Sequence, residues 1–195
     1  YGKTTAVEWY LAERAGAEAP YIVRISVYSG NLAIFWKSAQ DAFARAGFAF
    51  LREYDCPTDG ASGGLLIDDL CHALTGEKSC YIFIDDFHLL TDKRAPGFLC
   101  ALAGRLPPNV HLILASRDLF LPAAELIRLG GKVYQIGTAQ LRLNHTELAV
   151  YTNRCGTALS DEQIDTLLYY SEGWFSAVYL NLRMFSEHGV LPDPN

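Results

Sequence analysis

Runs of apolar residues mark predicted strands in the first part of the chain. Residues 21–28 are rich in β-branched side chains, and residues 81–84 and 110–115 are almost continuously apolar. Short apolar runs of this kind are typical of strands buried on both faces of a parallel sheet. The pattern therefore predicts strands at these three positions and a further short strand at residues 133–136.

Between these strands, apolar residues recur with the spacing of amphipathic helices. A cap at Asn31 and a stop near Gly47 bound one predicted helix. The other predicted helices cover residues 3–15, 65–74, 97–105 and 122–129, and a loop rich in Gly, Asp and Pro covers residues 54–64. Strands that alternate with helices predict an α/β fold whose parallel sheet is covered on both faces.

Only helical spacing is found after Leu143, so the C-terminal part is expected to be all-helical. The predicted helices cover residues 144–154, 160–171 and 174–187. Two pairs have capping-box spacing, namely Asn144 with Glu147 and Ser160 with Gln163. We therefore predict a core domain at residues 1–140 and a helical lid subdomain at residues 141–195.

Composition and charge narrow the function of this segment. The chain has 195 residues, of which 50% are hydrophobic, so it can bury a substantial core and is not expected to be disordered. Its net charge of −6 argues against direct contact with a nucleic-acid backbone, which requires a basic surface.

Cysteine usage and targeting signals bear on where the protein works. The 5 scattered cysteines lack CxxC spacing, which favours free thiols in a reducing compartment over disulfides or a zinc site. We recognise no secretory leader in these residues and no apolar run long enough to cross a bilayer, so we expect a cytoplasmic protein. Neither end resembles a natural terminus, so we expect these residues to be a piece of a longer protein.

The sequence Gly2-Lys3-Thr4-Thr5 leads directly into a helical pattern and matches the end of the P-loop motif GxxxxGK[ST], whose first glycine would precede Tyr1. In this motif, backbone N–H groups at the helix start point at phosphate oxygens. We predict that all four residues contact a nucleotide, with Lys3 at the β- and γ-phosphates and Thr4 on Mg²⁺. Gly-Lys-Thr also occurs by chance, so it is not specific alone.

An acidic pair follows the apolar run at residues 80–84, as in a Walker B element. The carboxyl ends of parallel strands open into the crevice where such sheets bind ligands. Asp85 is predicted to hold Mg²⁺ directly or through water, because this ion prefers oxygen ligands, and Asp86 to orient or activate the attacking water. The alternative is that these residues merely begin a turn, as acidic residues often do.

Arg117 follows a third apolar run and is predicted to sense the γ-phosphate and to stabilise charge that develops during transfer. The alternative is a surface ion pair. The order of a GKT helix, an acidic strand end and an arginine after a strand favours a nucleotide site. His88 and Trp174 are expected to be structural, as a hydrogen-bonding side chain and a core anchor respectively.

Four segments carry a resemblance to a known family: residues 84–90 (IDDFHLL), 113–117 (ILASR), 140–143 (QLRL) and 171–174 (SEGW). Together they resemble the MalT-type regulators, which are large ATP-dependent activators of the LuxR group and members of the STAND class. The resemblance implies an ATPase core followed by a helical lid, and the choice of ATP rests on it. It also implies a winged-helix segment, a helical-repeat sensor region and a C-terminal helix-turn-helix outside these residues.

The resemblance implies the same site residues as the motifs. The family's phosphate-binding lysine, Mg²⁺ threonine, Walker B pair and sensor arginine correspond to Lys3, Thr4, Asp85, Asp86 and Arg117. The chain departs from the family at Phe175, where many relatives have proline after Gly-Trp. In STAND proteins that proline helps the lid to contact the nucleotide, so the departure concerns the lid and not the phosphate site.

The function implied by the resemblance is a switch that binds Mg-ATP, hydrolyses it slowly and thereby controls self-association and transcription activation. An inducer and DNA would bind through regions outside these residues, and no membrane is involved. Two alternatives remain open. One is a motor or processing ATPase of the AAA+ kind, and the other is an interaction module that binds nucleotide without hydrolysing it.

Overall fold

The protein contains a three-stranded parallel sheet with helices packed on it, which confirms the predicted α/β fold. The structure is a computed structural model that describes residues 2–189. The strands are β1 (Tyr21–Ser26), β2 (Cys80–Asp85) and β3 (Val110–Leu114), in the order β1-β2-β3. Tyr21 pairs with Cys80, and Cys80 pairs with Val110, so the strands begin in register.

Helices occupy much of the remaining chain, and most predicted elements differ from them by only a few residues at the ends. The α-helices are α1 (Lys3–Glu18), α2 (Leu32–Arg45), α3 (Gly60–Leu74), α4 (Arg94–Arg105), α5 (Ala123–Leu129), α6 (Thr138–Leu141), α7 (His145–Arg154), α8 (Asp161–Ser171) and α9 (Phe175–His188). Short 3₁₀ turns lie at Ala49–Glu53, Phe87–Leu89 and Gly130–Lys132. Over residues 2–189, no helix combines the length and the apolar character that crossing a membrane requires.

Successive side chains of a strand point to opposite faces of the sheet, and those of β2 are buried on both faces. On one face, Ile82 and Ile84 pack into a core that includes residues of α2, α3 and α4. On the other face, Tyr81 and Phe83 pack with Leu11 of α1. This two-sided burial explains why the strand is apolar along its whole length.

The further strand predicted at residues 133–136 is wrong. These residues have no regular secondary structure and follow the turn at Gly130–Lys132. A strand needs a neighbour for its backbone N–H and C=O groups, and within residues 2–189 β3 pairs only with β2. Tyr134 and Ile136 do not belong to the sheet, and they are 83% and 58% exposed.

The loop predicted at residues 54–64 is wrong in its second part, because α3 already begins at Gly60. Asp59 caps the helix: its Oδ1 accepts a hydrogen bond from the Ser62 N–H at 2.8 Å. Gly63 is buried, and a Cβ there would lie 3.5 Å from an aromatic ring of α4. Glycines lower helix propensity, so the cap and the packing against α4 make this segment helical.

The chain folds into two compact units. The first is residues 7–134, which contain the sheet, and the described part of the second is residues 2–6 together with residues 135–189. The helices of the second unit enclose a separate core of buried residues, Leu148, Ile164, Leu167, Val178 and Leu182. An all-helical C-terminal region is therefore present, as predicted.

Side-chain caps begin α7 and α8 as the sequence predicts. Asn144 Oδ1 accepts a hydrogen bond from the Glu147 N–H, and Glu147 Oε2 accepts one from the Asn144 N–H, both at 2.9 Å. Ser160 and Gln163 form a second reciprocal pair of the same kind. These caps satisfy backbone N–H groups that have no partner within the helix.

We predict that Gly173 tolerates no side chain. It has φ +73°, and a Cβ there would overlap the carbonyl oxygen of Leu143. Gly156 is a matched control, because it has φ +76° but open space around it. Gly156→Ala should lower the free energy of unfolding by about 1 kcal/mol through backbone strain, and Gly173→Ala should lower it clearly more. Denaturant unfolding measures both, and equal losses would contradict the close approach.

We also predict that the native fold protects Cys80 from thiol reagents. Burial raises the pKa of the Cys80 thiol to about 11, because the thiolate would lose its solvation. Cys155 is exposed, and the thiolate is the reactive form. At neutral pH a thiol reagent should therefore modify Cys155 first and Cys80 only on unfolding. Mass spectrometry of labelled peptides tests this, and rapid labelling of native Cys80 would show that β2 is not buried.

Candidate functional site

Polar side chains collect at the carboxyl edge of the sheet, directly after β2 and β3. Asp85 is the last residue of β2, and Asp86 begins the turn that follows. The Ala115 N–H donates a hydrogen bond to the Ile84 carbonyl at 2.9 Å, so pairing continues past the end of β3. The acidic pair and the segment that leads to Arg117 therefore leave the sheet at the same edge.

The two acidic residues have different environments. Asp85 is half-buried, and its Oδ1 accepts a hydrogen bond from the Asp86 N–H at 2.9 Å. Asp86 has left-handed backbone angles (φ 53°, ψ 37°), and its side chain is 55% exposed. This conformation is strained for a residue with a Cβ, and such strain is concentrated at functional sites. The turn proposed as the alternative is present, and it leaves the Asp86 carboxylate accessible.

Arg117 is an exposed cation after β3. It forms no ion pair with any residue between 2 and 189, so the alternative of a surface ion pair is not what the structure has. Arg94 and Arg105, by contrast, are paired with Asp92 and Asp68, each at 2.8 Å. A cation without an internal carboxylate is suited to an anionic ligand.

Helix α1 begins at the predicted phosphate-binding sequence. Gly2 has φ +76°, which favours glycine, and its carbonyl accepts a hydrogen bond from the Ala6 N–H at 2.9 Å. Thr4 and Thr5 are exposed in the first turn. That turn contains no acidic residue, so the positive end of the helix dipole has no carboxylate of its own turn to oppose it. These are local features of an anion-binding helix start.

Within residues 7–134, α1 runs antiparallel to β2. Glu18, at its C-terminal end, accepts a hydrogen bond from the Ser79 hydroxyl at 3.2 Å, just before β2 begins. Leu11, which precedes Glu18 in the same helix, packs with Phe83 near the end of that strand. The helix is therefore directed from the carboxyl edge of the sheet towards its amino edge. Its first residues belong to the second unit, so their contact with a ligand at the acidic pair stays a prediction.

Inside the second unit, the start of α1 lies against the start of α9. A Cβ on Gly2 would be 3.1 Å from the Cβ of Phe175, whose ring packs edge-on against Tyr151 with centroids 5.1 Å apart. Trp174 is half-buried, and the guanidinium of Arg142 lies 4.9 Å from its ring centroid. Phe175, at the position where the family resemblance implies proline, therefore packs on Gly2 of the predicted phosphate-binding sequence.

A cavity of about 800 Å³ lies within the first unit, between the sheet and helices α2, α3 and α4. Its walls include the half-buried aromatic residues Phe35, Trp36 and Phe98. None of the residues predicted to contact nucleotide or Mg²⁺ lines it. The candidate site at the carboxyl edge and this cavity are therefore separate features.

The residues predicted to hold magnesium carry oxygen donors, the type of ligand that this ion prefers. Among residues 2–189, no three His, Cys, Asp or Glu side chains come together as a metal site. Magnesium takes few protein ligands and completes its shell with water and phosphate oxygens. The two predicted ligands, the Asp85 carboxylate and the Thr4 hydroxyl, are the kind of oxygen donors that such an ion uses.

Comparison with known proteins relates part of this chain to one kind of regulator. No family model matches it. The HTH-type transcriptional regulator MalT of Vibrio parahaemolyticus is 25% identical over 104 residues, which are 53% of this chain and 12% of that protein. MalT of Yersinia enterocolitica is 30% identical over 102 residues, which are 51% of this chain and 11% of that protein. The chain is similar to MalT regulators.

The similarity to MalT supports the resemblance that the motifs indicate, at a coarse level. It covers about half of this chain, and the matched residues are at most 12% of the MalT proteins compared. The chain thus resembles one region of a MalT-like transcriptional regulator. Nucleotide contacts at the site are not part of that finding and stay a prediction.

The left-handed conformation of Asp86 predicts an unusual ranking of two substitutions. Glycine adopts φ 53° without strain, whereas alanine does not. Asp86→Gly should therefore be more stable than Asp86→Ala by about 1 kcal/mol, the reverse of the ranking expected in a helix. Denaturant unfolding of both variants measures the difference. A more stable alanine variant would show that the turn after β2 has another conformation.

Proposed function

We propose that this chain is the ATP-binding switch region of a MalT-like transcriptional activator. The proposal is carried by the carboxyl edge of the sheet, where neighbouring parallel strands lead to Asp85, Asp86 and Arg117. Parallel sheets bind ligands at this edge. The similarity to MalT regulators supports the same interpretation.

In this proposal the site residues divide the work by their chemistry. Lys3 and the backbone N–H groups at the start of α1 bind the β- and γ-phosphates. Asp85 and Thr4 supply oxygen ligands for Mg²⁺, which neutralises phosphate charge when bound. Asp86 accepts a hydrogen bond from the attacking water and so orients it. Arg117, which has no carboxylate partner of its own within residues 2–189, balances the charge that develops on the phosphate oxygens.

The region is proposed to act as a switch and not as a metabolic enzyme. A nucleotide drives a switch only if it binds two arrangements of the protein with different affinity. A hundredfold preference corresponds to about 2.7 kcal/mol, which is enough to reverse a modest bias. The packing of Phe175 on Gly2 offers one route by which a ligand at the start of α1 would act on α9. Hydrolysis is proposed to be slow, so that each signalling state persists.

The other functions of the regulator are proposed to lie in further parts of the protein. The net charge of −6 disfavours DNA contact by this segment, so DNA and an inducer are assigned to regions outside it. The ATP state is proposed to self-associate when inducer is bound. The buried free thiols of Cys80 and Cys100 suit a reducing compartment, and the protein is proposed to work in the cytoplasm.

The test is the melting temperature of the full-length protein with and without Mg-ATP. Nucleotide at a hundred times its dissociation constant should add about 2.7 kcal/mol of stability, a shift of several degrees. Lys3→Ala should abolish this shift because the phosphates lose their positive partner. The matched control is Lys93→Ala, which removes an exposed lysine before α4 and should keep the shift.

Each outcome of this experiment distinguishes the alternatives. No shift in the parent protein would contradict nucleotide binding, and with it the switch, the motor and the nucleotide-bound interaction module. A shift that persists in Lys3→Ala would assign the nucleotide to another place. A shift that depends on Lys3, together with fast turnover that requires ring assembly, would favour a motor of the AAA+ kind over a switch.

A further inference from the structure

The imidazole of His88 carries a buried nitrogen that finds no hydrogen-bond partner within residues 2–189. This atom is Nδ1, and the side chain as a whole is only 12% exposed. A buried polar atom left without a hydrogen bond destabilises the fold, and native proteins satisfy nearly all such atoms. The expectation that His88 is a structural hydrogen-bonding side chain is therefore not met through this nitrogen, which suggests a role in another state of the protein.

An acceptor lies just beyond hydrogen-bond range of this nitrogen. Asp86 Oδ1 is 3.8 Å from His88 Nδ1, whereas N–H···O bonds measure about 2.7–3.2 Å. The Asp86 carboxylate is 55% exposed and accepts no hydrogen bond from residues 2–189. Rotation of this side chain about its own bonds would close a gap of about 1 Å.

The backbone around His88 is held in place, so the adjustment must come from the Asp86 side chain. The Phe87 N–H donates a hydrogen bond to the Ala115 carbonyl at 2.9 Å, and the Leu90 N–H donates one to the Phe87 carbonyl at 3.0 Å. These bonds tie the 3₁₀ turn to the exit of β3. The backbone that carries the His88 imidazole is thus fixed, whereas the exposed Asp86 side chain can rotate.

We propose that His88 is a positioning residue for Asp86. When nucleotide is bound, the His88 Nδ1–H donates a hydrogen bond to Asp86 Oδ1 and fixes the carboxylate that orients the attacking water. This inference rests on the proposed function. An exposed carboxylate samples several rotamers, and holding one of them aligns the reacting groups more of the time. A neutral imidazole protonated at Nδ1 is sufficient for this bond.

Two substitutions separate positioning from space filling. His88→Asn keeps an N–H donor close to the place of Nδ1, whereas His88→Leu fills a similar volume without a donor. In the full-length protein, we expect His88→Leu to lower kcat for ATP by about tenfold or more, with KM within about twofold of the parent value. His88→Asn should keep most of kcat. The matched control is His72→Leu on the exposed surface of α3, which should change neither constant.

A second measurement does not depend on hydrolysis. Nitrogen-15 NMR of the histidine-labelled full-length protein distinguishes an imidazole protonated at Nδ1 from one protonated at Nε2. With Mg²⁺ and a non-hydrolysable ATP analogue, we expect the Nδ1–H form at His88 and its loss in Asp86→Ala, which removes the acceptor. Detection of the Nε2–H form in the bound parent protein, or an unchanged kcat in a folded His88→Leu variant, would overturn the proposal.

The melting shift with Mg-ATP shows which claim has failed. No shift in the parent protein would overturn the proposed function, and the positioning role with it. A normal shift in both the parent and His88→Leu, together with the Nε2–H form or an unchanged kcat, would overturn the positioning role alone. A normal shift with the Nδ1–H form and reduced turnover in His88→Leu would support both.

Discussion

Burial of β2 on both faces is the constraint on which the rest of the first unit depends. Residues 80–84 are each no more than 4% exposed, so helices must cover both sides of the sheet. Helix α1 covers one face, and α2, α3 and α4 cover the other. A buried strand cannot carry unpaired charge, and carboxylates therefore appear only where it ends, at Asp85 and Asp86. The place of the candidate site follows from how the core is built.

At that edge, two neighbouring carboxylates have different surroundings. Asp85 is half-buried and accepts a backbone hydrogen bond, which restrains the orientation of its carboxylate. Asp86 is exposed on a left-handed turn, and its orientation depends on what it meets. Among residues 2–189, the buried Nδ1 of His88 has no hydrogen-bond partner and lies 3.8 Å from Asp86 Oδ1.

In the second unit, the backbones of two segments that precede helices come close together. The Leu143 N–H donates a hydrogen bond to the Gly173 carbonyl at 2.8 Å, which ties the segment before α7 to the turn before α9. A side chain at Gly173 would not fit there. Phe175, where the family resemblance leads one to expect proline, packs on Gly2 and Tyr151. Helix α9 begins at this residue.

The sequence by itself determined the elements whose signals are local. Apolar runs predicted all three observed strands, side-chain caps predicted the starts of α7 and α8, and residue type marked Asp85, Asp86 and Arg117 as candidates. The similarity to MalT regulators, which covers about half of this chain, supports the family resemblance at a coarse level. None of these signals requires knowledge of which parts of the chain are neighbours in space.

The tertiary structure alone decided the features that depend on distant neighbours. Residues 133–136 have strand-like composition but no partner along β3 within the described residues, and a strand cannot form without one. Gly63 is buried beside α4, in a helix that the Asp59 side chain caps. Asp86 and His88 are only two residues apart, yet their geometry reflects a turn held by the exit of β3. Backbone pairing between strands far apart in the chain set that turn, and the sequence pattern does not encode it locally.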